Sequence, residues 1–238
     1  MDRSWAQDMS VLATAEITGE GAIQLSDIRD WRYLPGTVAS QEYRDASFDP
    51  DDIVDLWMYE QEFGEKGLIA HTFVVFEFDE SYGPVRYLGL SMEARREADE
   101  DYSILRGMLR GFEAAHVWAT EEDLVTRRVT YQGNPVRRYR LEIPAESRAR
   151  IFAKMVEETR ALATKPRWYN TVLYNCTSSL IRYANESEPG SIPLHYSYVL
   201  TGKIDEYLER LGYLDPRGTR VIDGPGLAEE GLRPGVGA

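Results

Sequence analysis

The run Ile69-Ala70-His71-Thr72-Phe73-Val74-Val75-Phe76-Glu77-Phe78 constrains this chain more than any other stretch. In extended backbone, successive side chains point to opposite faces. The two faces are therefore Ile69/His71/Phe73/Val75 and Ala70/Thr72/Val74/Phe76/Phe78, and both are mainly apolar. A strand of this kind needs cover on both sides, which predicts a central position in a sheet. With His71 and Glu77 inside it, the run is too short and too polar to cross a bilayer.

The surrounding pattern predicts an α+β chain. Short extended stretches appear around Thr14–Ile17 and Ala22–Leu25, and another strand is expected over Ile53–Tyr59 after the turn signal Asp49-Pro50-Asp51-Asp52. A polar turn from Asp79 to Pro84 leads into a second strand, Val85–Glu93. Further strands are expected at Ala114–Ala119, Arg127–Tyr131 and Val136–Ile143, the last two joined by the hairpin turn Gln132-Gly133-Asn134-Pro135. The spacing then changes. Ile151, Phe152, Met155, Val156 and Leu162 make one face of a helix that begins after Pro144 and stops near Lys165–Pro166. A second helix is expected from Cys176, with Leu180, Ile181 and Ala184 on one stripe, and a third over Lys203–Leu211, closed by Gly212. From Gly224 onward, five glycines and two prolines in fifteen residues read as a flexible tail. With no internal repeat, the expected organisation is one α+β domain over residues 1–223 and a tail over 224–238.

Charge and composition exclude several functions. A net charge of −13 argues against binding the phosphate backbone of nucleic acid and against broad adhesion to anionic lipid, so any membrane contact is expected to be local. No signal-peptide core follows Met1, and the chain reads as soluble. One cysteine and three histidines leave no disulfide and no metal-type spacing, and no cofactor is called for.

The single thiol sits in an unusual place. In Tyr174-Asn175-Cys176-Thr177-Ser178-Ser179, Asn175 is a favoured N-cap, which places Cys176 in the first turn of its helix. Aligned peptide dipoles and free N–H groups there favour a thiolate and suit an oxyanion. The bland alternative is a small buried hydrophobe. His71, mid-strand between Ile69 and Phe73, is either a core histidine or the base such a cysteine needs. In a hairpin turning at Asp79–Pro84, the residue facing His71 falls between Ser91 and Glu93, and either can orient the imidazole. His116 reads as a packed strand residue and His195 as an exposed loop residue. Asn175-Cys176-Thr177 also matches a glycosylation sequon, although an inward cysteine at a helix start disfavours modification.

Taken in order, Ile69-Ala70-His71-Thr72, Ser91-Met92-Glu93-Ala94-Arg95-Arg96-Glu97, and Trp168-Tyr169-Asn170-Thr171 followed by Asn175-Cys176-Thr177 resemble the Lnb N-terminal periplasmic domain family. The resemblance runs from about Trp5 to Leu214 and includes Asp27-Ile28-Arg29-Asp30 and Val54-Asp55-Leu56. That family looks like a circularly permuted, NlpC-type branch of the papain-like cysteine enzymes, with the histidine strand ahead of the cysteine helix. The fold it implies is an antiparallel sheet packed against a cysteine-bearing helix. The implied catalytic residues are Cys176 as nucleophile, His71 as base and Glu93 as orienting group.

Arg95 and Arg96, as holders of an anionic head group, and Tyr169 and Asn170 from the motif ahead of the cysteine, are the candidate substrate-binding residues. The implied activity is acyl transfer or hydrolysis through a thioester on Cys176. The expected partner is an acyl-bearing lipid, lipoprotein or peptide. A peptide or cell-wall amide hydrolase and a non-catalytic binding domain are the alternatives. The family's association with lipoproteins implies the bacterial cell envelope or periplasm. Because the chain lacks the membrane-spanning N-terminus usual in such proteins, the cytoplasm is the competing location.

Overall fold

The computed structural model describes residues 3–19, 21–63, 67–80, 83, 85–100 and 111–232. Its strands are β1 (Thr14–Ile17), β2 (Ile23–Arg29), β3 (Arg32–Leu34), β4 (Thr37–Ser40), β5 (Tyr43–Phe48), β6 (Ile53–Phe63), β7 (Ile69–Phe78), β8 (Tyr87–Arg95), β9 (Glu113–Thr120), β10 (Val136–Arg140) and β11 (Arg220–Ile222). A nine-stranded sheet runs β1–β2–β9–β8–β7–β6–β10–β11, with β5 also paired to β2, while β3 and β4 form a separate hairpin. The expectation of an antiparallel sheet is corrected at one place. β2 and β9 pair in parallel at Arg29 and Ala119. They are joined by a long stretch of chain rather than a hairpin, so nothing forces them to run in opposite directions.

β7 is central, as its two apolar faces require. On one side Val74, Phe76 and Phe78 join Leu88, Leu90 and Trp118 beneath Ile151, Phe152, Met155 and Val156 of helix α2 (Ala145–Thr164). Phe152 meets the rings of Phe48, Phe76, Phe78 and Trp118, so its truncation to alanine is expected to cost about 3–5 kcal/mol. On the other side Phe73 and Val75 pack with Tyr59, Val117 and Ala119 against Leu124 and Val125 of helix α1 (Glu121–Thr126).

Helix α1 continues through one π-type turn, Arg127–Tyr131, where a strand is expected from sequence. The physical reason lies just upstream. Thr120 Oγ1 accepts from the Asp123 N–H at 3.2 Å, and the acidic first turn Glu121-Glu122-Asp123 complements the positive end of the helix. Helix therefore nucleates at the end of β9 and propagates through Arg127–Tyr131, burying Arg128 and Val129. Gln132–Pro135 then leads from this helix, not from a strand, into β10.

Two further helices are α3 (Cys176–Ser187) and α4 (Ile204–Arg210), the latter followed by Gly212 at φ +80°, a left-handed position suited to glycine. The Gly/Pro-rich end also differs from a plain tail. Gly226–Glu229 is helical, and Leu227 and Leu232 are buried against the α1 side of the core. Two leucines supply enough apolar surface to anchor that stretch, and residues 233–238 lie outside the described residues.

One irregularity positions the site. The β7–β8 ladder ends at Phe73↔Ser91, yet β7 continues beside β6 to Ile69 and β8 continues beside β9 to Arg95. The two strands part. Extending their register past the last pair sets His71 across from Glu93.

Candidate active site

Cys176 opens α3 as expected. Asn175 is the N-cap: its side-chain oxygen accepts from the Ser178 N–H at 2.8 Å, and Ser178 Oγ accepts from the Asn175 N–H at 2.9 Å, a reciprocal capping box. The same Asn175 side chain donates through Nδ2 to the carbonyls of Thr171 at 2.9 Å and Tyr198 at 3.0 Å. One residue thus starts the helix and ties two loops to its end. Asn170 does a related job. Its Oδ1 accepts from the N–H groups of Val172 at 3.0 Å and Leu173 at 2.8 Å, which shapes the turn leading to the cysteine. Tyr169 is buried in the cluster that includes Cys176, Met92, Ala94 and Phe112.

The thiol lies where β7 and β8 separate. The Thr72 N–H, with no β8 partner at this point in the ladder, donates to Cys176 Sγ at 3.5 Å. Thr177 Oγ1 is 3.9 Å from the sulfur and 2.9 Å from Thr72 Oγ1. At a helix N-terminus the first N–H groups have no intrahelical acceptor, so those of Cys176 and Thr177 are the natural donors for an oxyanion beside Sγ. Past Thr72 and Thr177 an apolar cavity of about 80 Å³ runs between sheet and helices, lined among others by Leu56, Met58, Val74, Leu180, Ile181 and Ile204.

The imidazole of His71 faces the thiol closely enough for each group to shift the other's titration. Its Nε2 is 2.7 Å from Ser91 Oγ and 3.3 Å from Glu93 Oε1, and Ser91 Oγ donates to Glu93 Oε1 at 2.7 Å. Of the two residues expected to face the imidazole, both do, and the serine is nearer. Since Ser91 gives its proton to the carboxylate, it accepts from His71, which places a hydrogen on Nε2.

The electrostatics favour a charged pair. Burial opposes charge on His71, but the Glu93 carboxylate and the Cys176 thiolate outweigh it and raise its pKa to about 9. Burial likewise pushes the thiol up, while the His71 charge, the hydrogen bond from His71 and the Thr72 N–H bring it below its ordinary value. Glu93 lies well below the usual carboxylate range because the His71 charge overcomes burial. These shifts all act in favour of thiolate, imidazolium and carboxylate over their neutral forms.

Arg95 and Arg96 do not join this group. Arg95 Nε donates to the Met9 carbonyl at 3.1 Å and its guanidinium lies 4.1 Å from the Trp5 ring, while Arg96 pairs with Asp8 at 3.5 Å. The N-terminal segment passes along the end of β8, with Ala6 N–H bonded to the Arg96 carbonyl at 2.9 Å, and it takes up both cations. The arginine that does reach the site is Arg128, with Nη2 at 3.1 Å from Glu93 Oε1 and 3.2 Å from Ser91 Oγ. Reading Arg127–Tyr131 as a strand hid it, although the Thr120 cap and acidic turn were visible.

Glu60 was missed as well. It is buried, pairs in register with Thr72, and neither carboxylate oxygen has a hydrogen-bond partner among the described residues. His116 is a packed strand residue, as expected. Its Nδ1 lies 2.9 Å from Thr159 Oγ1 and its Nε2 3.0 Å from Tyr183 Oη. His195 is half-buried rather than exposed, stacked on Tyr207 with ring centres 3.8 Å apart. Among the described residues, no group of three or more His, Cys, Asp or Glu side chains is arranged to hold a metal ion. No helix among them is long and apolar enough to cross a membrane.

The family model of the Lnb N-terminal periplasmic domain matches residues 39–202, a span that contains His71, Glu93 and Cys176. No curated protein and no solved structure matches the chain. With well over half of its 238 residues inside that match, the chain belongs to the Lnb N-terminal periplasmic domain family.

Proposed function

We propose that this protein is a thiol-dependent acyl-transfer enzyme of a permuted, NlpC-type papain-like fold, working through an acyl thioester on Cys176. The observation that carries the reading is the meeting of Cys176, His71, Ser91 and Glu93 where β7 and β8 part. The order of the chain, histidine strand before cysteine helix, agrees with the permuted arrangement.

The thiolate attacks an ester or amide carbonyl, and the oxyanion is held by the free N–H groups at the start of α3. Collapse forms the thioester and breaks the bond to the leaving group, which takes the proton from His71. Water, or an amine or alcohol acceptor, then gives its proton to His71 and attacks the thioester, restoring the thiolate. Glu93 stabilises the imidazolium and Ser91 holds the ring tautomer. Water as acceptor makes a hydrolase; the other acceptors make a transferase.

The apolar cavity beyond Thr72 and Thr177 favours an aliphatic acyl group of a lipid or lipoprotein over a polar peptide. Peptide or cell-wall amides are the second substrate class, and the family's periplasmic character supports an envelope location. Intact-mass spectrometry after incubation with phospholipids, acylated lipopeptides and peptide amides tests the reading. A fatty-acyl adduct on the wild type, absent in Cys176→Ala, is the expected result. Turnover of peptide amides alone moves the protein to the hydrolase branch. An unreactive thiol with no adduct from any donor leaves a binding domain and ends the enzyme reading.

A further inference from the structure

The helix on the far side of the sheet contributes one cation to the cysteine site. Arg128 is 1% exposed, and every direction of its guanidinium that has a partner leads to a structural or site group. Nη1 donates to the Leu124 carbonyl at 2.8 Å within its own helix. The guanidinium carbon lies 4.3 Å from the centre of the Phe73 ring, the last β7 residue paired with β8. Nη2 donates to both Ser91 Oγ at 3.2 Å and Glu93 Oε1 at 3.1 Å. Helix carbonyl and aromatic face fix the fork, and the fork grips the two residues that orient His71.

We infer that Arg128 is a positioning residue for the Cys176–His71 pair: it pins Ser91 and Glu93 in place and shares the Glu93 charge with the imidazolium, so that His71 can release its proton. This rests on the thiol-enzyme reading. A hydroxyl has one proton and two lone pairs. With its proton on Glu93, Ser91 accepts from Arg128 on one lone pair and from His71 on the other, so its valence is full and its orientation single. Glu93 Oε1 is shared in the same way among Ser91, His71 and Arg128. A carboxylate given wholly to His71 would hold the imidazolium too tightly to protonate a leaving group. A second cation on the same oxygen weakens that hold.

Cys176 from α3 and Glu93 from β8 act on His71. Glu93, Asp123, Arg29 of β2 and neighbouring Arg127 act on Arg128. Burial presses hardest against the Arg128 charge, with Arg127 and Arg29 adding to it and Glu93 opposing them.

The test is the pH profile of iodoacetamide labelling at Cys176 in the full chain, with hydrolysis of a short-chain p-nitrophenyl ester as the turnover probe. Arg128→Met and Arg128→Gln remove the cation and should move the alkaline limb of the thiolate–imidazolium profile up by about one pH unit. Ester turnover at pH 7 should fall by about tenfold or more, because the proton is released less readily. Arg128→Lys retains the charge and should keep the limb within about half a unit of the wild type, while losing turnover through the missing second contact.

A purely structural Arg128 predicts no movement of the limb in any folded variant, and that outcome, or a downward shift, overturns the inference. If both uncharged variants fail to fold, Arg128→Lys still decides: lost turnover with the limb in place carries the inference, and wild-type turnover, or a limb displaced by more than about half a unit, overturns it. The wild-type curve separates this inference from the reading beneath it. A wild-type thiol that titrates near the ordinary value of about 8.5 removes the enzyme reading itself. A perturbed wild-type thiol with unmoved variants removes only the role of Arg128.

Discussion

His71 and Glu93 belong to adjacent strands that have stopped pairing, and the carboxylate nonetheless stands 3.3 Å from the imidazole Nε2 across the gap. The gap is what admits the sulfur. A continued β7–β8 ladder would occupy the Thr72 N–H that now points at Cys176 Sγ. Thiol and imidazole therefore come from opposite sides of β7, and they meet only because the sheet opens there.

Removing either partner of that relationship should act on the thiol in a readable way. In the wild type the thiolate is expected to persist well below pH 8.5, with an alkaline limb near pH 9 where His71 loses its proton. Glu93→Gln deletes the largest influence raising His71, so the limb should move down toward 6.5. His71→Ala should return the thiol to an ordinary titration and lower acyl turnover by about three orders of magnitude. Labelling rates followed from pH 5 to 10 give both results. A limb that stays in place in Glu93→Gln would assign the orienting role to Ser91 alone.

Glu60 makes a prediction about alkaline stability. Burial, reinforced by Asp205, raises its pKa to about 8, so it is neutral in the folded protein at pH 7. A folded pKa above the unfolded 4.5 means that the folded state holds more protons between those values, and stability falls as pH rises from 4.5 through 8. Glu60→Gln removes that dependence. The variant should be more stable than wild type at pH 8 and little changed at pH 5, the contrast being on the order of 3 kcal/mol by urea unfolding. Equal differences at both pH values would show that Glu60 is ionised in the fold.

His116 works at the acid end. Thr159 Oγ1 gives its proton to the Met155 carbonyl, so His116 donates from Nδ1 to Thr159 and accepts at Nε2 from Tyr183. Burial lowers its pKa from 6.5 to about 4, so the unfolded chain binds the extra proton first. Stability should drop by about 3 kcal/mol as pH falls from 6.5 to 4 and then level off as far as this residue is concerned. His116→Gln should be less stable overall yet show a shallower acid slope. An unchanged slope would mean that His116 is already protonated inside the protein.

Gly89 links α1 to the sheet. A methyl group there would stand 2.3 Å from Leu124 Cδ1 and 3.4 Å from both Val75 Cγ2 and the Ala119 carbonyl. Gly89→Ala should therefore cost about 1–3 kcal/mol in thermal or urea unfolding. Adding Leu124→Ala should recover part of that loss, because it removes the atom in closest conflict. A double variant that still loses the full Gly89→Ala cost relative to Leu124→Ala alone would place the strain in the backbone.

Much of this architecture was legible in local pattern. The doubly apolar run at Ile69–Phe78 demands a central strand, Ile151-Phe152-Met155-Val156 demand one buried helix face, and Asn175 ahead of Cys176 supplies a cap. Each is settled by residues within a turn or a strand of one another, so sequence determined where the thiol and the imidazole sit in their own elements. Tertiary structure decided what those elements bring together. The parting of β7 from β8 depends on their other neighbours, β6 and β9, and leaves no local mark. The capture of Arg95 and Arg96 depends on an N-terminal segment more than eighty residues away. Arg127–Tyr131 alternates like a strand, and only its capped start and its packing over Phe73 make it helical and deliver Arg128. Period and capping are short-range properties; ion pairing across a sheet depends on which distant strands become neighbours, and that is fixed only when the core closes.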